Sequence, residues 1–147
     1  MCGIIGSNKY SITRNTLNKL SHRGPDERGL LSSYGDLDLG HTRLSIIGIE
    51  DGQQPMQLDK ESISLTFNGE IYNYIELQDK LREVGRDTNT SSDTEVLLEY
   101  YSVFGIDRLL EDVNGMFAFV IHDKLHDTML LVRDRLGIKP LFYAVEN

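Results

Sequence analysis

Hydrophobic positions along the chain fall into short groups of differing spacing, and the spacing predicts the elements. Gly3-Ile4-Ile5-Gly6 is brief, β-branched and glycine-bounded, the pattern of a buried strand. From Asn15 to Leu20, Leu17 and Leu20 suit one face of a short helix, which must stop before the Gly24-Pro25 turn signal. Leu37, Leu39, Leu44, Ile46 and Ile47 first alternate and then cluster, predicting one or two strands before Ile49. Gly52-Gln53-Gln54-Pro55 reads as a loop. Ile63-Ser64-Leu65-Thr66-Phe67 alternates cleanly, so it predicts a half-buried strand that delivers Asn68-Gly69-Glu70 at its end.

The period then changes to that of a helix. Asn73 is placed to cap it, Glu76 follows three residues later, Leu77, Leu81 and Val84 share a face, and Gly85 ends it. Because a helix follows, Asn68-Gly69 does not make a two-residue hairpin turn. Ser92 and Glu95 form a capping-box pattern for a second helix that buries Val96, Leu97, Tyr100, Tyr101 and Phe104 and stops at Gly105. The run from Gly115 to Ile121 is almost wholly apolar, as in a strand covered on both faces. A turn near Asp123 to Asp127 pairs it with Met129-Leu130-Leu131-Val132. No repeat, linker or low-complexity stretch divides the chain, so one core is shared along its length.

Composition narrows the function classes. With 147 residues, 39% hydrophobic and 26% charged, the chain suits one globular domain. A formal charge of −8 without a basic patch argues against a nucleic-acid surface. No long apolar run predicts a membrane span, and the first residues do not form a signal peptide. The single cysteine cannot close an internal disulfide, which fits a reducing compartment, and a cytoplasmic location is expected.

That cysteine is Cys2, between Met1 and Gly3. Removal of Met1 would put a thiol and a free α-amine on one residue. An unperturbed thiol titrates near 8.5 and a terminal amine near 7.7 to 8.0, so the amine can take the thiol proton near neutral pH. Other candidates carry two readings each. His22-Arg23-Gly24-Pro25-Asp26 either borders a site or is only a turn. Arg43 is either a solvated, edge-facing side chain or a fork for a carboxylate. Asn68 and Gly69 either form a plain turn or offer an amide and a backbone N–H to an oxyanion. Asp93 either favours its helix dipole, worth about 0.3 to 1 kcal/mol, or receives a substrate ammonium. His122 and His126 have an i, i+4 spacing, but their place at a strand end speaks against a metal site. Arg133-Asp134-Arg135 through Leu141 reads as a charged turn with a proline-stiffened exit and no chemistry of its own.

Seven stretches occur in one order: Cys2-Gly3-Ile4-Ile5-Gly6, His22-Arg23-Gly24-Pro25-Asp26, His41-Thr42-Arg43-Leu44-Ser45-Ile46, Phe67-Asn68-Gly69-Glu70-Ile71-Tyr72-Asn73, Ser92-Asp93-Thr94-Glu95, Gly115-Met116-Phe117-Ala118-Phe119, and Arg133 through Leu141. The set resembles the glutaminase domain of glutamine-dependent asparagine synthetases, which are class II glutamine amidotransferases within the N-terminal-nucleophile hydrolases. The resemblance implies an α+β fold, two stacked antiparallel sheets between helical layers. It also implies hydrolysis of glutamine to glutamate and ammonia by Cys2. Asn68 and Gly69 would then hold the oxyanion, Arg43 the α-carboxylate, and Asp93 with Glu70 the α-ammonium.

The glutaminase step implies no cofactor. ATP and Mg belong to a synthetase domain with a Ser-Gly-Gly pyrophosphate loop, which these residues do not contain. Residues 1–147 are thus expected to be a glutaminase domain whose partner is an ammonia-accepting synthetase domain or subunit. The family's sheets continue beyond the Lys-Pro-Leu motif, so an unpaired edge is expected near Asn147, and a homo-oligomer is left open. Two further readings stand beside the enzyme: a silent binding or regulatory domain, favoured if Met1 is retained, and the glutaminase domain of a sugar or purine amidotransferase.

Overall fold

The computed structural model describes residues 1–33, 37–46, 48–58 and 62–146. Its elements run β1 (Gly3–Ser7), α1 (Arg14–Asn18), β2 (Glu27–Ser33), β3 (Leu37–Arg43), β4 (Met56–Leu58), β5 (Ile63–Ile71), α2 (Tyr74–Glu83), α3 (Asp93–Asp112), β6 (Gly115–Asp123) and β7 (Thr128–Arg133). Two antiparallel sheets result, ordered β1-β3-β2 and β4-β5-β6-β7. In the stack, α1 lies on β3, β1 and β3 face β5, and α3 covers β4 and β5 with α2 beside it. This is the helix, sheet, sheet, helix arrangement expected from the sequence resemblance.

The two sides of β5 and β6 differ in chemistry. Ile63, Leu65, Phe67 and Ile71 of β5, with Phe117, Phe119 and Ile121 of β6, point toward the helices. There they join Leu77, Leu81, Val96, Leu97, Tyr100 and Leu109 in the main core. The intervening residues face the other sheet, where the apolar cluster is small: Leu37, Leu39 and Val120, with Leu31 and Met129 against it. Polar groups fill the rest of that layer, including a Thr66 hydroxyl that donates to Gly40 O at 3.3 Å and a His41 ring whose Nε2 lies 3.1 Å from Phe67 O.

Several local expectations need correction. The alternation in Ile63 to Phe67 does not mark a half-exposed strand. Ser64 and Thr66 are as buried as their neighbours, because a second sheet covers the polar side, and β5 runs on through Asn68, Gly69 and Glu70 to Ile71. The strand expected between Leu37 and Ile49 ends at Arg43. Ile46 and Ile49 are exposed, and Ile47 falls outside the described residues. Gly105 does not end the second helix but kinks it, with φ 76° and ψ 176°, a conformation open chiefly to glycine.

The predicted caps also behave differently. Ser92 Oγ accepts from Thr94 N–H at 3.2 Å, but the Glu95 carboxylate accepts from the backbone of Asn89 and Thr90 instead of completing a capping box. Asn73 makes no side-chain cap on α2; it bonds Asp112 O and Asn114 N–H and so ties α2 to the entry of β6. β2 and β4 have no counterpart in the hydrophobic pattern: both are edge strands, and β2 offers only Leu30 and Leu31 as apolar residues.

Candidate active site

Residues far apart in sequence converge on one cleft of about 160 Å³, and Cys2, Arg43, Asn68, Gly69, Glu70 and Asp93 all line it. Cys2 sits just before β1. The N–H of Leu44 donates to its Sγ at 3.4 Å, and Leu44 O lies 3.8 Å from the same sulfur. The turn after α1 fixes this end. Arg23 Nε donates to Cys2 O at 3.0 Å, and Asp26 accepts from Ser45 N–H at 2.8 Å while its own N–H donates to Arg43 O at 3.0 Å. At Gly24 an added Cβ would lie 2.3 Å from Thr42 O, so only glycine lets the turn press on β3. Of the two roles open to this turn, bordering the site is the one its contacts fit.

β5 brings two further groups, for reasons of strand geometry. Successive N–H groups point to opposite edges of a strand. On the β6 side Tyr72 N–H donates to Asn114 O, so the odd-numbered residues of β5 turn theirs to the other edge. β4 covers that edge only as far as Leu65. Beyond it Phe67 N–H is taken by Gln54 Oε1 at 2.7 Å and Ile71 N–H by Asp93 Oδ2 at 3.1 Å. Between these two, Gly69 N–H has no partner among the described residues. The buried Asn68 amide, on the face turned toward β1 and β3, likewise has none. An unpartnered amide and an adjacent backbone N–H at the wall of a cleft can receive a negatively charged oxygen.

Asp93 opens α3 and is buried beneath the cleft. Burial pushes its carboxyl up to about 6; the hydrogen bonds from the backbone of Ile71 and Thr94 oppose that rise, and the nearby charge of Glu70 adds to it. Arg43 is 3% exposed, so the solvated reading of this residue fails. Its Nη1 donates to both carboxylate oxygens of Glu27, at 3.0 and 3.1 Å, and to Ile49 O at 3.3 Å, while Nη2 donates to Gly48 O. The carboxylate that meets its fork here belongs to the protein itself.

A family model described as a glutamine amidotransferase domain matches residues 1–147. The chain belongs to that family. Among curated relatives, the amidotransferase domain is 40% identical over 157 residues to "Asparagine synthetase [glutamine-hydrolyzing] 1" of Bacillus subtilis, covering 100% of this chain and 24% of that protein. It is 38% identical over 168 residues to "Putative asparagine synthetase [glutamine-hydrolyzing] 2" of Methanocaldococcus jannaschii, covering 97% and 32%. It thus spans between 24% and 32% of the length of these two relatives. Among solved structures, the glutamine phosphoribosylpyrophosphate amidotransferase of B. subtilis complexed with ADP and GMP superposes with a TM-score of 0.58. The two are 30% identical, over 72% of this chain and 25% of that one.

Sequence reasoning missed several groups that shape the domain's cleft. Gln54, read as plain loop, both caps Phe67 N–H and donates to Thr94 Oγ1 at 3.2 Å. Glu27 opens a strand that the hydrophobic pattern did not signal. The largest correction concerns the stretch from Arg133 to Leu141. Its Asp134 carboxylate is buried and accepts from Phe117, Ile138 and Lys139 N–H groups at 3.2, 2.8 and 2.9 Å, and the segment it holds carries Lys139 into the cleft wall. Only the presence of Asp134 between two arginines signalled this in the sequence. His122 and His126 stay away from the cleft, and His126 Nδ1 lies 2.8 Å from Asp123. Among the described residues no cluster of His, Cys, Asp or Glu is placed to hold a metal, and no helix is long and apolar enough to cross a membrane.

Proposed function

We propose that this domain hydrolyses glutamine to glutamate and ammonia. Cleavage of Met1, which is 58% exposed and lines the cleft, frees the α-amine of Cys2. The amine takes the thiol proton, and Sγ attacks the side-chain carbonyl carbon of glutamine. The tetrahedral oxygen takes its negative charge between the Asn68 amide and Gly69 N–H, then re-forms the carbonyl as the C–N bond breaks. The nitrogen leaves as ammonia with the proton that the amine returns. A γ-glutamyl thioester remains on Cys2, and water attacks it to release glutamate and restore the thiol. Asp93 and Glu70 face the substrate ammonium. Arg43 faces its carboxylate once the substrate shares or displaces the Glu27 contact.

The observation that carries this reading is that Asn68 and Gly69, whose amide and N–H have no partner among the described residues, line the same cleft as the only thiol in the chain. Residues 1–147 act as the glutaminase unit, and the step needs no cofactor. The names of the asparagine synthetase relatives support transfer of the ammonia to a synthetase domain or subunit; in this reading that partner uses ATP and Mg, and the setting is reducing and cytoplasmic. The test is acid quenching during turnover, followed by peptide mass analysis. A glutamyl adduct on Cys2 is expected; turnover that proceeds with no adduct, under conditions where thioester breakdown is slowed, would sink the covalent route.

A further inference from the structure

The cleft is poor in cations that could face new negative charge. Glu70 and Asp93 contribute carboxyls, while the Arg43 guanidinium is engaged by Glu27 and by loop carbonyls. Arg23 donates Nε to Cys2 O and keeps a buried Nη2 without a partner among the described residues, but it does not line the cleft, and Asp26 is bonded to Ser45 N–H. Lys139 differs from all of these. It is 6% exposed, it lines the same cleft as Cys2, Asn68 and Gly69, and among the described residues its ammonium meets no carboxylate or hydrogen-bond acceptor.

Its backbone leaves little freedom. The N–H is held by Asp134 at 2.9 Å and the carbonyl by Arg133 Nε at 2.7 Å, so the chain is clamped on both sides of the residue. An ammonium without a partner in a cleft wall favours any negative charge that forms within its reach. Under the glutaminase reading, two such charges arise in this cleft, a thiolate and then an oxyanion. Neither would be favoured by the two carboxyls alone.

We propose that Lys139 is an electrostatic residue of the reaction, stabilising the negative charge that develops at Cys2 and at the Asn68–Gly69 pair. This rests on the proposed function for its purpose but not for its test, which reads the thiol directly. Alkylation of Cys2 by iodoacetamide should slow about tenfold at pH 7 in Lys139→Met and Lys139→Gln, and its pH profile should move to higher pH. Lys139→Arg should restore both. Glutamine turnover, where present, should lose kcat about 10- to 100-fold with KM within about threefold, as expected when one charge-stabilising group is removed.

A second measurement needs no variant. On the unsubstituted chain, the rate of the anionic reagent iodoacetate relative to neutral iodoacetamide should exceed the same ratio on free cysteine. The proposal is overturned if folded Lys139→Met alkylates like the parent, if Lys139→Arg slows as much as Lys139→Met, or if the native chain favours the neutral reagent. Absence of glutaminase activity with a slowed, arginine-rescued alkylation would sink the proposed function and leave the charge effect standing.

Discussion

The two faces of β5 have opposite occupations. Odd-numbered residues, Ile63, Leu65, Phe67 and Ile71, enter the apolar core against the helices, whereas even-numbered Ser64, Thr66 and Asn68 enter the layer between the sheets, where polar groups are buried. Along β3 the same layer changes from Leu37 and Leu39 at one end to His41 and Arg43 at the other. The difference teaches where stability and chemistry reside. The helix side holds the strand in place, while its other side and its free edge present the Asn68 amide and the Gly69 N–H to the cleft that Cys2 also lines. A binding site can then retain unpartnered polar groups because the opposite face supplies the burial that keeps the strand folded.

Substitutions on β5 can break this division or sharpen it. Leu65→Ala, fully buried on the helix side, should cost about 2 to 5 kcal/mol of unfolding free energy, read by chemical denaturation. A loss below about 1 kcal/mol would mean that this face does not carry the core. Asn68→Ala should lower glutaminase kcat about 10²- to 10³-fold. Its stability should stay within about 1 kcal/mol of the parent, because the amide has no partner to abandon among the described residues. Comparable losses in Asn68→Ala and Leu65→Ala denaturation would erase the distinction between the faces.

Asp93 supplies a pH-dependent test of intermediate size. Its carboxyl is raised to about 6, and an ammonium is best received by the ionised form. KM for glutamine should therefore rise as pH falls below about 6, approaching tenfold per unit, with Asp93→Asn removing the trend. The sign for stability is opposite. A carboxyl whose folded value lies above its ordinary 3.8 favours the protonated folded state, so that contribution fades as pH rises through about 6. A flat KM between pH 7.5 and 5 would remove Asp93 from ammonium recognition. The smallest effect is expected from Thr66→Val, which loses the bond to Gly40 O. It should cost about 0.5 to 1.5 kcal/mol and leave turnover within twofold, showing that the inter-sheet layer contains polar residues with no part in chemistry.

Much of this was legible in the sequence. The glycine-bounded run at Ile4-Ile5 marks a strand, although both isoleucines are only half-buried and not buried as expected; the helical period from Leu77 and from Val96 and the apolar run to Ile121 each specify their element through a pattern that packing reinforces. The ordered motifs placed Cys2, Arg43, Asn68, Gly69, Glu70 and Asp93 together. What escaped was set by tertiary context. Alternation in β5 reports two kinds of face but not that both are covered. Burial of Arg43 depends on a loop folding back onto it, and the partner of Glu95 is a backbone segment upstream, not the helix start. Lys139 was hidden because a basic residue beside glycine and proline looks like a solvated turn. Its position depends on the Asp134 carboxylate reaching Phe117 N–H on a different element.

Glutamate and ammonia formation from glutamine by chain whose loss of Met1 has been verified by intact mass, with Cys2→Ala as the control, tests the central claim most directly. The account predicts equal amounts of both products from the trimmed chain and none from the variant. A trimmed, folded chain that releases neither product, or a Cys2→Ala chain that matches the parent, would contradict it.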